Sequence, residues 1–305
     1  MFTTLLAVVI ALGAGHAAPW LAEALRDHAW FARWLESFDL RFPDEGVWRG
    51  RWGIALALLP PLLAVALLQV ALDGRLYGLP ALLFGVVALF YAWGPRDLDQ
   101  DVDAVVEAPD TTSRREAAEA LWPASAGVHD SGDARSLVGV VFRSALRRWF
   151  GVLFWFLLLG PSGAVGYRLL AVAAEGPPSL RLPPATAAGA RWLLAVLDWA
   201  PAQLMTLSLA LVGNFDEVAT AWREAGGAGF AADAGFLAAA ARASVRSELA
   251  DEAEDLLDDG VPPSSAVVLA LGPLPELRDA MSLVWRILLV WLVALAFFVV
   301  AGWVN

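Results

Sequence analysis

Three stretches of about twenty apolar residues restrict the solvent this chain can fold in, because a helix of that length matches the hydrocarbon thickness of a bilayer. Residues 52–72 read WGIALALLPPLLAVALLQVAL, and residues 283–304 read LVWRILLVWLVALAFFVVAGWV. Residues 191–212 hold one acid, Asp198, and one internal proline, Pro201, in a run of Leu, Ala, Val and Met. In lipid every backbone N–H and C=O must be satisfied within the segment, so such runs are read as helices.

Two further segments fit the pattern. Residues 149–170 are apolar but interrupted by Gly160-Pro161, and residues 79–93 are short for a full crossing. Residues 3–15 give a short or partly inserted first helix; no basic residue precedes that run, which separates it from a secretory leader. The expected fold class is all-α: one polytopic helical membrane domain over residues 1–305, with five to six membrane helices and helical cytoplasmic loops. Trp52, Trp93, Trp149, Trp192, Trp285 and Trp303 stand at segment ends, where indole rings favour the headgroup level.

The polar segments are 16–51, 94–148 and 213–282. All twenty-one basic residues are arginine. Seventeen of them fall in those segments when Arg286 is counted with the last, leaving Arg75, Arg168, Arg181 and Arg191 for the opposite side. If the N-terminal helix spans, the positive-inside rule makes the long segments cytoplasmic in a multi-pass membrane protein. A net charge of −11 argues against a nucleic-acid partner. The expected partners are the lipid bilayer, a cytoplasmic or membrane protein, and a second copy of the chain. There is no cysteine, and His16, His28 and His129 are dispersed, which leaves no set for zinc or a Ser-His triad.

Residues 20–38 place Trp20, Leu21, Phe31, Trp34, Leu35 and Phe38 along one helical stripe, either lying on the membrane or packed on the core. Residues 229–259 alternate Ala-rich and acidic helix, whose carboxylates read as a solvated face.

Three patches could carry chemistry. In GPRDLDQDVDAVVEAPD (94–110), a helix sets Asp97 one turn from Asp101, and Asp99, Asp103 and Glu107 in a second row. Asp97 and Asp101 are the candidate ligands if a Mg²⁺ is held at all; no cofactor is otherwise expected, and an Asp-rich helix start explains the run equally. In GPSGAVGYRLL (160–170), Gly160-Pro161 breaks the helix and Arg168 sits at the edge of apolar sequence. In the third, Asp198 lies about two turns into a helix starting near Arg191, with Arg168 or Arg191 as its partner. Pro201 frees a carbonyl one turn earlier. A binding site and a structural ion pair both account for Asp198.

Taken with the apolar N-terminus, the stretches WGPRDLDQDV, WFGVLFWFLLLGPSGAVGYRLL and LLAVLDWAPAQLMTLSLALVGNFDEVATAW resemble the AmpE family of bacterial inner-membrane proteins associated with β-lactamase induction. They also resemble the wider CobD/CbiB superfamily of cobalamin biosynthesis. The resemblance covers most of the chain and is weakest over 16–50 and 225–280. It implies that Gly160, Pro161, Gly163, Ala164, Tyr167 and Arg168 form one structural or binding element. Asp97, Asp101, Asp198 and Pro201 are then expected to face a common cavity with it. The cobalamin enzymes continue with N-T-L-D where this chain has AVAAEG (171–176), and carry a Glu- and Asn-containing stretch where this chain has VVFRSALRRW (140–149). Their early H-P-V is reduced here to HAAP (16–19), and Gln203 replaces an arginine. The resemblance therefore implies a non-catalytic regulatory protein of β-lactamase induction or the envelope-stress response, without catalytic residues. The alternatives are a CobD/CbiB-like amide-forming ligase making cobinamide and a membrane module binding lipid or solute.

Overall fold

The computed structural model describes residues 2–17, 28–42, 46–73, 78–94, 97–122, 134–230, 234–259 and 273–301, and every regular element among them is helical. Pro19, residues 20–27 of the apolar stripe, Arg75, His129 and Trp303 lie outside the described residues. Helix α1 (Phe2–Ala17) packs along α4 (Leu79–Ala92). Between them in sequence come α2 (Ala29–Arg41), a 3₁₀ turn (Val47–Arg49) and α3 (Gly53–Leu72). The acidic stretch forms α5 (Leu98–Val106), followed by α6 (Thr111–Glu119). Asp110 caps α6 by accepting from the backbone N–H of Thr112 and Ser113 at 2.9 and 2.8 Å, and these bonds lower its pKa.

Among the described residues three helices are long and apolar enough to cross a membrane: α3, α10 (Pro184–Val212) and α13 (Pro275–Val300). The 14-residue α4 is apolar but shorter. The residues exposed on these helices are themselves greasy, among them Leu67 and Val70 on α3 and Val293 and Phe297 on α13. An apolar surface of that kind faces lipid at no desolvation cost.

Residues 149–170 do not form one span. Helix α7 (Ala134–Ala145) passes through a single π-helical turn (Leu146–Phe150) into α8 (Gly151–Leu159), which stops at Gly160. The chain then turns and α9 (Pro161–Glu175) runs back along α8. Gly160 has φ 71° and ψ −154°, a conformation closed to residues with a Cβ. Gly163 lies against the backbone carbonyl of Trp155, and Gly151 against the ring of Tyr167. The two pairings fix an antiparallel register, and a Cβ at either glycine would overlap the facing helix. Gln69, near the end of α3, staples the turn by donating to the Leu159 carbonyl (3.2 Å) and accepting from the Ser162 N–H (3.1 Å). The polar groups that a helix break would strand in lipid are thus satisfied.

Two of the helix-internal prolines, Pro61 and Pro201, are handled in the same way. Pro61 lacks the N–H that would bind the Ala57 carbonyl, and Trp34 Nε1 of α2 donates to that oxygen at 2.9 Å. Pro201 leaves the Leu197 carbonyl free, and Trp155 Nε1 of α8 donates to it at 3.2 Å. Both of these prolines thereby pin a neighbouring helix through an indole. Replacing Trp155 with Phe keeps most of the ring but strands the Leu197 carbonyl, a loss of about 1–3 kcal/mol. A thermal melt in detergent micelles reads this directly.

Helix α2 is packed rather than laid on a surface: Phe31 and Leu35 are buried, and Phe38 meets Trp48 with ring centroids 5.4 Å apart. The remaining helices, α11 (Phe215–Glu224) and α12 (Gly235–Asp258), pack on each other and, with the first turns of α13, on α7 and α10. At the foot of α13, ahead of the apolar run that begins at Leu283, burial and the facing Glu248 and Glu252 of α12 raise Asp279 from 3.8 to about 6. Arg286 on its own helix opposes this shift and Glu276 adds to it. The folded state holds that proton more tightly than the unfolded chain does. The contribution of this group to stability is therefore fully present below pH about 4 and is lost as pH rises through 6. Asp279→Asn is expected to stabilise the fold at pH 7–8 by about 1 kcal/mol or less for a half-exposed group, read as a higher melting temperature, and to change nothing at pH 4.

Candidate functional site

Asp198 sits near the middle of α10, because the helix begins at Pro184 rather than at Arg191. Its carboxylate is 1% exposed. Tyr167 Oη of α9 donates to it at 2.6 Å and Arg147 Nε of the π turn at 3.0 Å. Arg147 Nη1 also contacts Glu175 Oε1 at the end of α9. One guanidinium thus joins carboxylates from two helices, and a phenol from α9 completes the shell of the buried acid. A buried carboxylate is tolerable only when paired and hydrogen-bonded in this way.

Its cation is a correction to the sequence reading. Arg191 is exposed, and Arg168 donates to the Trp93 carbonyl at 3.3 Å. Arg147 belongs to VVFRSALRRW, the stretch that reads as a loss relative to the cobalamin enzymes. The signal was present as two adjacent arginines, Arg147 and Arg148, abutting an apolar run. What sequence periodicity does not contain is the π turn, which alters the angle between neighbours and is a recurrent feature of functional sites.

Arg148 turns to the second patch. Its Nη1 meets Asp101 Oδ2 at 2.5 Å, and Asp101 is 6% exposed. Asp97 is half-buried at the start of α5, where its backbone carbonyl accepts from the Asp101 N–H. Asp99 accepts from Trp285 Nε1 of α13 at 2.9 Å, while Asp103 and Glu107 are exposed. The carboxylates of α5 therefore point to different partners. With Asp101 neutralised by Arg148, Asp97 and Asp101 do not make the oxygen-rich shell that Mg²⁺ requires. Among the described residues no three His, Cys, Asp or Glu side chains come together as a metal set.

Around this point lies an aromatic cluster. Trp93 stacks on Trp149 at 6.3 Å, and Trp149 packs on Trp285 at 5.1 Å. These rings tie the ends of α4, the π turn and α13 together. Of the element expected at 160–168, Gly160, Pro161 and Gly163 build the hairpin. Ala164 is fully buried against the core, and Tyr167 and Arg168 face the site. Pro201 acts one turn below Asp198 through the Leu197 carbonyl.

The outer face of the network opens on a cavity of about 1010 Å³. Arg143, Arg147 and Arg148 of the α7 to α8 helix line it, together with Arg168 and Glu175 of α9. The opposite wall comes from α2 and the 3₁₀ turn, through Leu35, Glu36 and Trp48. Arg181 closes one edge, pairing with Glu36 at 2.6 Å. Arg168 and Arg181 therefore stand with segment 28–51, not opposite it as the loop count assigns them. The physical reason is the hairpin: because α8 and α9 reverse at Gly160, the end of α9 returns to the level of Arg147. Basic side chains are more one-sided in the fold than in the linear count.

The acids do not form the expected common cavity: Arg168 lines the cavity, whereas Asp97, Asp101, Tyr167, Asp198 and Pro201 do not. Asp198 and Tyr167 meet beside Arg147 behind its wall, and Asp101 pairs separately with Arg148. The family model described as "Regulatory signalling modulator protein AmpE" matches residues 27–228. That range holds the acidic patch, the arginine-bearing π turn, the hairpin and Asp198, and it leaves out α1, α12 and α13. No curated protein and no solved structure matches the chain. Since the family model covers more than half of the residues, the chain belongs to the AmpE family.

Proposed function

We propose that this chain is a non-catalytic, multi-pass regulatory protein of the bacterial inner membrane. In this reading it relays occupancy of its arginine-lined cavity to a cytoplasmic or membrane protein partner during β-lactamase induction or the envelope-stress response. The observation that carries this reading is the position of Arg147. Its guanidinium lines the cavity and at the same time holds Asp198 on α10, an apolar helix long enough to cross a membrane. A ligand that draws on Arg147 changes the counter-ion of a buried acid, and that coupling is what a two-state relay needs.

The carboxylates a ligase of the cobalamin kind would use are committed to partners here, Asp198 to Arg147 and Asp101 to Arg148. That favours regulation over amide formation. The test is β-lactamase induction and cell-wall-stress sensitivity in a strain lacking the gene, with wild-type complementation. The proposal expects induction to change on deletion and to return on complementation. Unchanged induction together with unchanged stress sensitivity would contradict it.

A further inference from the structure

We infer that the cavity beside Arg147 binds an amphiphilic oxyanion, a phosphate or carboxylate head carried on an apolar body. The inference rests on reading this cavity as the responsive site and names the chemistry of what enters it. Among the described residues five arginines line the space, with three carboxylates, Glu36, Asp39 and Glu175. The two acids that pair most deeply with this set, Asp101 and Asp198, do not line the cavity. The arginines thus face inward while part of their counter-charge stands outside the lining.

Three of the five come from one short stretch of helix. Arg143 and Arg147 are one turn apart, and the π turn carries Arg148 onto the same wall. A guanidinium has five N–H donors in a planar fork, more than the bonds to Asp198 and Glu175 use on Arg147, and the fork matches a phosphate or carboxylate. The rest of the wall is largely apolar, including Leu35, Trp48, Leu121, Val172 and Leu182. A bare anion would leave that surface wet, and a neutral hydrocarbon would strip water from the arginines without replacing it. A volume near 1010 Å³ accommodates a head and a body together, at the upper end of small-molecule pockets.

Calorimetric titration of the full chain in phosphatidylcholine nanodiscs tests this with octyl phosphate below its micellar concentration. The expected result is saturable binding, at least tenfold tighter than that of octanol or of inorganic phosphate. Arg143→Gln should weaken it about tenfold or more. Arg181→Gln, at a side chain 76% exposed and so safe for folding, should weaken it several-fold. Phosphatidylglycerol added to the nanodisc separates two sources of the same chemistry. Competition with octyl phosphate assigns the head to a bilayer lipid, and its absence assigns it to a water-soluble anion. No saturable binding, octanol binding as well as octyl phosphate, or an affinity unmoved in both variants would overturn the inference. These results leave the deletion phenotype untouched, whereas failure of the regulatory reading shows as unchanged induction even if the probe binds.

Discussion

Replacing Arg147 with methionine removes about 3–5 kcal/mol of stability, the largest loss expected from any single charge among the described residues. The methylene stem is kept, so packing changes little. What is lost is the cation beside Asp198, a residue that is 1% exposed. Tyr167 still donates one hydrogen bond, which is not enough to hold a full charge in that environment. Glu175 suffers less, since its side chain is 21% exposed and can be solvated. By contrast Arg181→Met, at an exposed pair with Glu36, should cost at most about 1 kcal/mol. A melt of both variants in the same detergent compares the two directly.

Gly163→Val is the second large effect. The new side chain would overlap the Trp155 carbonyl, a backbone group that cannot rotate away, so α8 and α9 must separate. Overpacking at a well-packed contact costs about 1–3 kcal/mol, and a clash with backbone lies at the top of that range. The separation also reaches the site, because Trp155 serves the Leu197 carbonyl and Tyr167 serves Asp198. Gly163→Val should therefore lose folded protein on size-exclusion chromatography, whereas substitution at Gly13, with nothing within 4 Å of its Cβ position, should not.

Much of the helical framework can be read from residue order alone, because length and hydropathy decide it. Residues 52–72 correspond to α3 (Gly53–Leu72), and the last apolar run to most of α13. The break at Gly160-Pro161 is equally visible. Its consequence is not: a glycine followed by proline permits a kink or a reversal, and the choice is made by close contact of Gly151 and Gly163 with residues of the facing helix. That is why a segment counted as one crossing is two short helices; among the described residues three helices are both long and apolar enough to span.

The site divides along the same line. Asp198 and Pro201 stand out in an apolar run because lipid makes acids and prolines conspicuous. Arg147 does not, since it lies in a polar flank where arginine is ordinary, and only the hairpin and the π turn bring it to Asp198. Asp97 and Asp101, one turn apart, look like a pair. Arg148 distinguishes them by taking Asp101. Partnerships across 47 and 51 residues are a property of packing, which hydropathy does not encode.

The central claim is that Arg147 and Asp198 act as one unit joining the cavity to α10. A double-mutant cycle of Arg147→Met and Asp198→Asn, read as unfolding free energy in one detergent, tests it most directly. The Asp198→Asn change keeps an acceptor for Tyr167 while removing the buried charge, so the double variant should recover about 1–3 kcal/mol of what Arg147→Met loses. Losses that add to within about 0.5 kcal/mol would show that the two side chains do not feel each other and would contradict the account.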